Sequence, residues 1–272
     1  MNYHSNEWIM KQVKEHYNTA LSLTPENNIV IMALQGSQNY GLDYEESDVD
    51  TKLIITPSFK EIALNFKPIS TTHVRANQEH IDFKDIRLYI DTFRSQNLNF
   101  LEILFTDFLL VNNMYVKQWN RLRDAREAIA HMNPVRAVRS MCGMASEKFH
   151  AMKHPYPSKI HLIEKYGYDG KQVSHLLRIE DFMERYIAGE SYQACLHPTA
   201  SKYDEIIAYK KNEIPLEKAE ARAEDVYLHC DEMKEDFKAI HEVVEDPVMY
   251  ELLRDVQYEI MKLSVAHEIL GG

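Results

Sequence analysis

Residues 34–55 read LQGSQNYGLDYEESDVDTKLII. A Gly36-Ser37 pair closes one apolar run, IVIMAL (29–34), and a Ser-Asp-Val-Asp cluster opens the next, TKLIIT (51–56). Both runs are short, rich in β-branched residues and bounded by turn chemistry, the pattern of buried strands. Side chains on a strand alternate faces, so Asp48 and Asp50 point the same way. Two adjacent ionised carboxylates repel, and a divalent cation resolves the repulsion. Mg²⁺ is commonly held by one or two carboxylates together with substrate phosphates. The Gly-Ser turn supplies the complement, because glycine permits close backbone approach and exposed N–H groups with a hydroxyl cradle anionic oxygens. Phosphoryl chemistry on two metals calls for a third carboxylate. EHIDFKD (79–85) alternates His80 and Asp82 against Ile81 and Phe83 and reads as a further strand, which makes Asp82 the candidate. Asp85 is placed instead to cap the helix that follows, IRLYIDTFRSQ.

Outside this core the chain divides by periodicity. Trp8, Ile9, Val13, Tyr17 and Leu21 recur at helical spacing, and DFLLVN (107–112) is a strand or a connector. Beyond about residue 113 strand-like runs vanish, and 3.6-period segments occupy 114–131, 134–152, 171–188, 216–240 and 247–269. The expected class is α+β: a mixed sheet with flanking helices over residues 1–115, then an all-helical domain over 116–272.

Charge is uneven. The chain carries a net −11, yet residues 115–178 hold 12 Lys and Arg against 5 acidic residues. A basic block suits phosphate-bearing ligands, and a solvated helix face gives the same count. Within it, Lys171, His175 and Arg178 fall at i, i+4 and i+7 on one helix face, just after an Asp169-Gly170 turn. No apolar run reaches the ~18 residues that span a bilayer, and the N-terminal segment lacks the apolar core of a secretion signal. Cys142, Cys195 and Cys230 are odd in number, widely spaced and without a CxxC pair, which fits reduced thiols in a cytoplasmic protein.

Gly36-Ser37, ten residues, then Asp48-Val49-Asp50 resembles the signature of the DNA polymerase β-type nucleotidyltransferase superfamily. GSQNYGLDYEESDVD, DIRLYIDTFRSQNLNFLEILF (85–105) and YGYDGKQVSHLLR (166–178) more narrowly resemble the RlaP-like predicted nucleotidyltransferases of RNA repair, over roughly residues 28–210. The helix after the third strand departs from that group's pattern: Ile86-Arg87-Leu88-Tyr89 keeps its arginine and lacks its lysine. The resemblance implies a palm-like catalytic domain. It implies NTP as substrate with Mg²⁺ or Mn²⁺, and transfer of NMP to an acceptor hydroxyl with release of pyrophosphate. Asp48, Asp50 and Asp82 would hold metal, and Gly36, Ser37, Lys171, His175 and Arg178 the nucleotide. An RNA or tRNA end is the first acceptor class; a protein, a small molecule, or nucleotide binding without turnover are the alternatives.

Overall fold

A computed structural model describes residues 3–271. The chain opens with α1 (Asn6–Leu21), whose N-cap Ser5 accepts from the Trp8 N–H. Then follow β1 (Ile29–Gln35), the short α2 (Ser37–Tyr40), β2 (Asp50–Ile55), α3 (Phe59–Ala63), β3 (Ser70–Val74) and β4 (His80–Asp85). Next come α4 (Ile86–Arg94), α5 (Leu98–Leu101), β5 (Leu109–Val111), α6 (Val116–Asp124) and α7 (Arg126–Ala130). The remainder is helical: α8 (Pro134–Ala151), α9 (Ile160–Tyr166), α10 (Gly170–Ile187), α11 (Tyr192–Cys195), α12 (Ala200–Lys210), α13 (Leu216–Ile240) and α14 (Pro247–Leu270). This is the expected α+β class, with most of the helical residues in the C-terminal half.

The sheet runs β3-β4-β2-β1-β5 and is mixed: β2 and β4 are parallel, the other neighbours antiparallel. Residues Ile29 to Leu34 of β1 are all buried, which explains the unbroken apolar run. On one face Met32, Leu34, Val49, Leu53, Ile81 and Phe83 pack on Ile9, Val13 and Ala20 of α1. The apolar stripe of α1 therefore runs through Ile9, Val13, His16 and Ala20, whereas Leu21, expected on that stripe, is exposed. The opposite face of β2 and β4 carries Asp50, Lys52, His80, Asp82 and Lys84, the alternate positions of each strand. β3 lies at the sheet edge and is mostly exposed. Its threonines and histidine give no apolar alternation, so the sequence does not announce it.

Two compact units emerge, divided differently from the sequence reading. One takes the chain up to Met132 and resumes at Glu245; the other is Asn133–Val244. Residues 116–132 and the final helix thus belong with the sheet. Arg121 of α6 pairs with Glu259 of α14 at 2.7 Å, Arg94 of α4 with Glu245 at 2.6 Å, and Thr56 Oγ1 meets Ser264 Oγ at 2.7 Å in the interior. Periodicity reveals that a helix has an apolar face, not which core receives it. The 114–131 segment is broken in two at Ala125. In the second unit α10 is central, flanked by α8, α12 and α13, and Arg178, Glu180 and Asp181 are buried among its apolar residues.

Candidate active site

The register of the sheet assembles the residues singled out by the opening stretch. Gln35, the last residue of β1, pairs with Asp50, the first of β2. The Gly36-Ser37 turn therefore emerges beside the strand end that presents the aspartates. Gly36 has φ 98° and ψ −154°, a conformation open to glycine and strained for other residues, and it launches α2 at Ser37. From α2, Gln38 Nε2 donates to the Asp48 carbonyl at 2.8 Å, so the turn and the acidic strand are physically joined. Ser47 has a local role: its Oγ accepts from the Tyr44 N–H and closes the turn before Asp48.

Asp48 is exposed just ahead of β2, Val49 is buried in the α1-side core, and Asp50 is half-buried. Asp50 Oδ1 accepts from the His80 backbone N–H at 2.8 Å and lies 3.2 Å from His80 Nδ1. Asp82 is the register partner of Lys52 and lies on the same face. Its Oδ1 accepts from Thr72 Oγ1 at 2.6 Å, and its Oδ2 is 3.7 Å from Lys52 Nζ. Asp85 is committed elsewhere, capping α4 through the Arg87 N–H and gripping the Arg87 guanidinium with both oxygens.

Lys52 is the residue that motif reading passes over. Its side chain is only 5% exposed. Burial pushes its ammonium down to about 8, against the pull of Asp82 and Asp50, with Lys84 adding to the depression. Lys84 is lowered too, by burial, with Asp82 opposing. Both amines sit over the Phe100 ring, at 4.5 and 4.1 Å from its centre. Alternation could have found Lys52, because it stands two places beyond Asp50 on the face that carries the acids.

Asp50 and Asp82 offer hard oxygen donors from one sheet face and Asp48 another just ahead of β2, a donor set that fits Mg²⁺ or Mn²⁺. Asp50 already turns an oxygen to His80, and Asp82 its two oxygens to Thr72 and Lys52. Among the described residues, the group whose ligand atoms meet within 4.8 Å lies in the helical unit instead: Glu180, Glu184 and His229. There Glu180 is already held by Arg222 at 2.7 Å and Lys202 at 3.1 Å, so that group is an ion-pair network.

The second cluster of candidates, in the helical unit, is partly architectural. Tyr168 is buried and donates to the Ile214 carbonyl at 2.7 Å, Gly167 closes α9 in the left-handed region, and Asp169 caps α10. A Cβ on Gly170 would lie 2.0 Å from the Tyr209 carbonyl oxygen, so only glycine allows α10 to start this close to α12. Lys171 and His175 are half-buried and Arg178 is buried. Burial drives His175 well below its usual range, helped by Arg178, Lys171, Lys148 and Lys210. The imidazole is thus held neutral inside a cationic neighbourhood formed by α8, α10 and α12.

No protein-family model matches the chain, and no curated protein matches it. Among solved structures, a nucleotidyltransferase-like protein from Exiguobacterium sibiricum 255-15 aligns with 97% of this chain and 77% of its own. The identity is 14% and the TM-score 0.28. At that score the likeness carries no argument about what the chain does. The three cysteines are free and buried. Among the described residues no helix is long and apolar enough to cross a membrane.

Proposed function

We propose that the chain is a nucleotidyltransferase dependent on Mg²⁺ or Mn²⁺, moving a nucleoside monophosphate from an NTP to an acceptor hydroxyl. One observation supports this above the rest. The Gly36-Ser37 turn, the Asp48-Val49-Asp50 strand start and Asp82 of the parallel neighbour occupy one end of one sheet, tied by the Gln38 to Asp48 hydrogen bond.

In this reading the turn and the Ser37 hydroxyl cradle phosphate oxygens, and Asp48, Asp50 and Asp82 supply the carboxylates that would hold the cation. Bound there, the cation neutralises charge on the triphosphate. Asp82 receives the proton of the attacking acceptor hydroxyl, whose oxygen bonds to the α-phosphorus as the bond to the β-phosphate oxygen breaks. Lys52 Nζ, 3.7 Å from Asp82 Oδ2, fixes the carboxylate's position for that task. Lys171 and Arg178 are proposed to neutralise phosphate charge, and His175, held neutral, to accept or donate a hydrogen bond. The task is positioning and electrostatics.

An RNA or tRNA end is the proposed acceptor, on the strength of the basic block at residues 115–178. The overall charge of −11 disfavours extended RNA contact and favours a short docked end. The test incubates the protein with each α-labelled NTP, Mg²⁺ or Mn²⁺, and a mixed tRNA pool, and follows label transfer and pyrophosphate. Label on RNA that drops at least ~10²-fold in Asp50→Asn is expected, since even supporting residues of a metal site cost up to that factor. Full activity in Asp50→Asn overturns the metal assignment. Label on the protein or a small molecule instead overturns the RNA acceptor.

A further inference from the structure

The peptide bond between Asp48 and Val49 is held at both ends by buried side chains. Its carbonyl accepts from Gln38 Nε2 at 2.8 Å, and its N–H points to Glu79 Oε1 at 3.4 Å. Gln38 and Glu79 are 2% and 7% exposed. Glu79 is itself fixed. Its Oε2 lies 2.9 Å from His16 Nε2 and 2.6 Å from Arg75 Nη1. His16 is wholly buried, and its other nitrogen, Nδ1, is 2.9 Å from Thr51 Oγ1, two residues beyond Val49 on the same strand face.

The network therefore grips the chain at two successive inward positions, Val49 just ahead of β2 and Thr51 within it, from the side opposite the aspartates. It draws on α1, α2 and the β3–β4 turn. A peptide plane held at both ends fixes ψ of Asp48 and φ of Val49, and with them the directions of the flanking side chains. Stability alone is a poor reason for it. Burying a carboxylate against an imidazole and a guanidinium gains little over a well-packed apolar patch of the same volume. What such a network does supply is a single backbone arrangement.

We infer that Gln38 and Glu79, the latter backed by His16 and Arg75, are positioning residues that clamp the Asp48–Val49 peptide and so aim the two carboxylates. The inference rests on the nucleotidyltransferase reading, in which those carboxylates hold a divalent cation. Supporting residues of metal sites typically govern affinity by 10- to 100-fold.

The test uses the full chain and Mn²⁺ alone, with free Mn²⁺ read by electron paramagnetic resonance, so that no turnover is needed. Gln38→Met and Glu79→Met keep volume and remove the hydrogen-bonding atoms, while Glu79→Gln keeps an acceptor oxygen for the Val49 N–H. Backbone amide exchange across residues 44–53 reports the clamp directly. Both Met variants are expected to exchange faster at Val49 and to bind Mn²⁺ about 10- to 100-fold more weakly. Glu79→Gln is expected within a few-fold of wild type. In the double Met variant the losses are expected to fall short of additive, because both act on one peptide. Accelerated exchange with unchanged Mn²⁺ affinity overturns the inference. If Glu79→Met does not fold, Gln38→Met and Glu79→Gln decide by the same criteria. An Asp50→Asn arm separates the two readings: wild-type Mn²⁺ affinity in that variant overturns the metal site itself, whatever the clamp variants do.

Discussion

Lys52 Nζ stands 3.7 Å from Asp82 Oδ2, on neighbouring parallel strands and in direct register, with its side chain buried and the carboxylate a third exposed. A buried ammonium that leans on a partly hydrated carboxylate is held more by its partner's charge than by its surroundings. That asymmetry decides what removing either member does.

Replacing Lys52 with methionine should leave stability within ~1 kcal/mol of wild type, because Asp82 keeps its hydration and methionine fills the space under Phe100. Transfer activity should fall clearly, since Asp82 loses its fixed counter-charge. A pH signature accompanies this. Lys52 titrates near 8 in the native state and at its ordinary value of 10.5 when unfolded. Between those values the unfolded chain binds a proton that the native chain has released, so stability rises with pH across that window. The rise, at most ~3 kcal/mol, should be absent from Lys52→Met and should therefore appear in the difference between wild-type and Lys52→Met urea unfolding curves. A difference flat from pH 7.5 to 10.5 would show that Lys52 is not buried as described.

Asp82 and Asp85 stand three residues apart and should behave oppositely. Asp85 caps α4 and binds Arg87 in the interior, so Asp85→Ala should cost ~1–2 kcal/mol of stability and leave the activity per folded molecule intact. Asp82→Asn should unfold near the wild-type midpoint and lose transfer. Thermal unfolding with single-turnover assays on both variants checks the assignment, and the reverse pattern would exchange their roles.

Why the site was half legible follows from these particular residues. β1, β2 and β4 announce themselves through apolar runs or alternation, and the Gly36, Ser37, Asp48 and Asp50 spacing is contiguous enough to read. α8, α10, α13 and α14 fall within about a residue of their expected ends, because 3.6 periodicity over 18 residues or more is a strong signal. β3 was missed because an exposed edge strand needs no apolar face, α9 because it is short and buries no residue, and α12 because it buries only Ile206 and Tyr209 and so shows little apolar periodicity. The clamp was invisible for another reason. Gln38, Val49 and Glu79 meet only once β2 pairs with β4, and a lone histidine at position 16 interrupts an apolar helix face without saying what it meets.

Glu79 should leave its own trace at low pH. Its carboxyl is held at about 2, where burial pushes upward and is outweighed by hydrogen bonds from His16 and Asn77, the charge of His16 and the Val49 N–H. A depressed carboxylate contributes stability that is fully present above its unfolded value near 4.5 and is lost as pH falls towards 2. In Glu79→Gln that group's contribution is absent, so the wild-type and variant curves should converge between pH 4.5 and 2, by ~1–3 kcal/mol. Chemical denaturation at half-unit pH steps measures it. Curves that stay parallel through this window would mean that Glu79 is not locked to His16 and Arg75.

Two glycines offer a contrast between strain and collision. At Gly36 a Cβ would meet nothing within 4 Å, yet the φ of 98° is strained for alanine. Gly36→Ala should therefore cost only the backbone strain, ~1–3 kcal/mol. The open space lets the turn relax into a different shape, so the chain stays folded while the phosphate cradle is lost. Gly170 is the reverse case, with ordinary helical backbone and a Cβ that would lie 2.0 Å from the Tyr209 carbonyl oxygen. Gly170→Ala must push α10 from α12, an overpacking that costs ~1–3 kcal/mol or more, and the damage falls on the helical unit. Thermal unfolding with and without NTP and Mn²⁺ distinguishes them, because a bound ligand raises the midpoint in proportion to its affinity. Gly36→Ala should show a modestly lowered midpoint that NTP no longer raises. Gly170→Ala should show the larger drop with an NTP-induced rise that is reduced but not abolished, because the displaced α10 carries Lys171, His175 and Arg178 while the Gly-Ser turn is untouched. If Gly36→Ala keeps the full rise, the Gly-Ser turn is a structural bend and the triphosphate is held elsewhere.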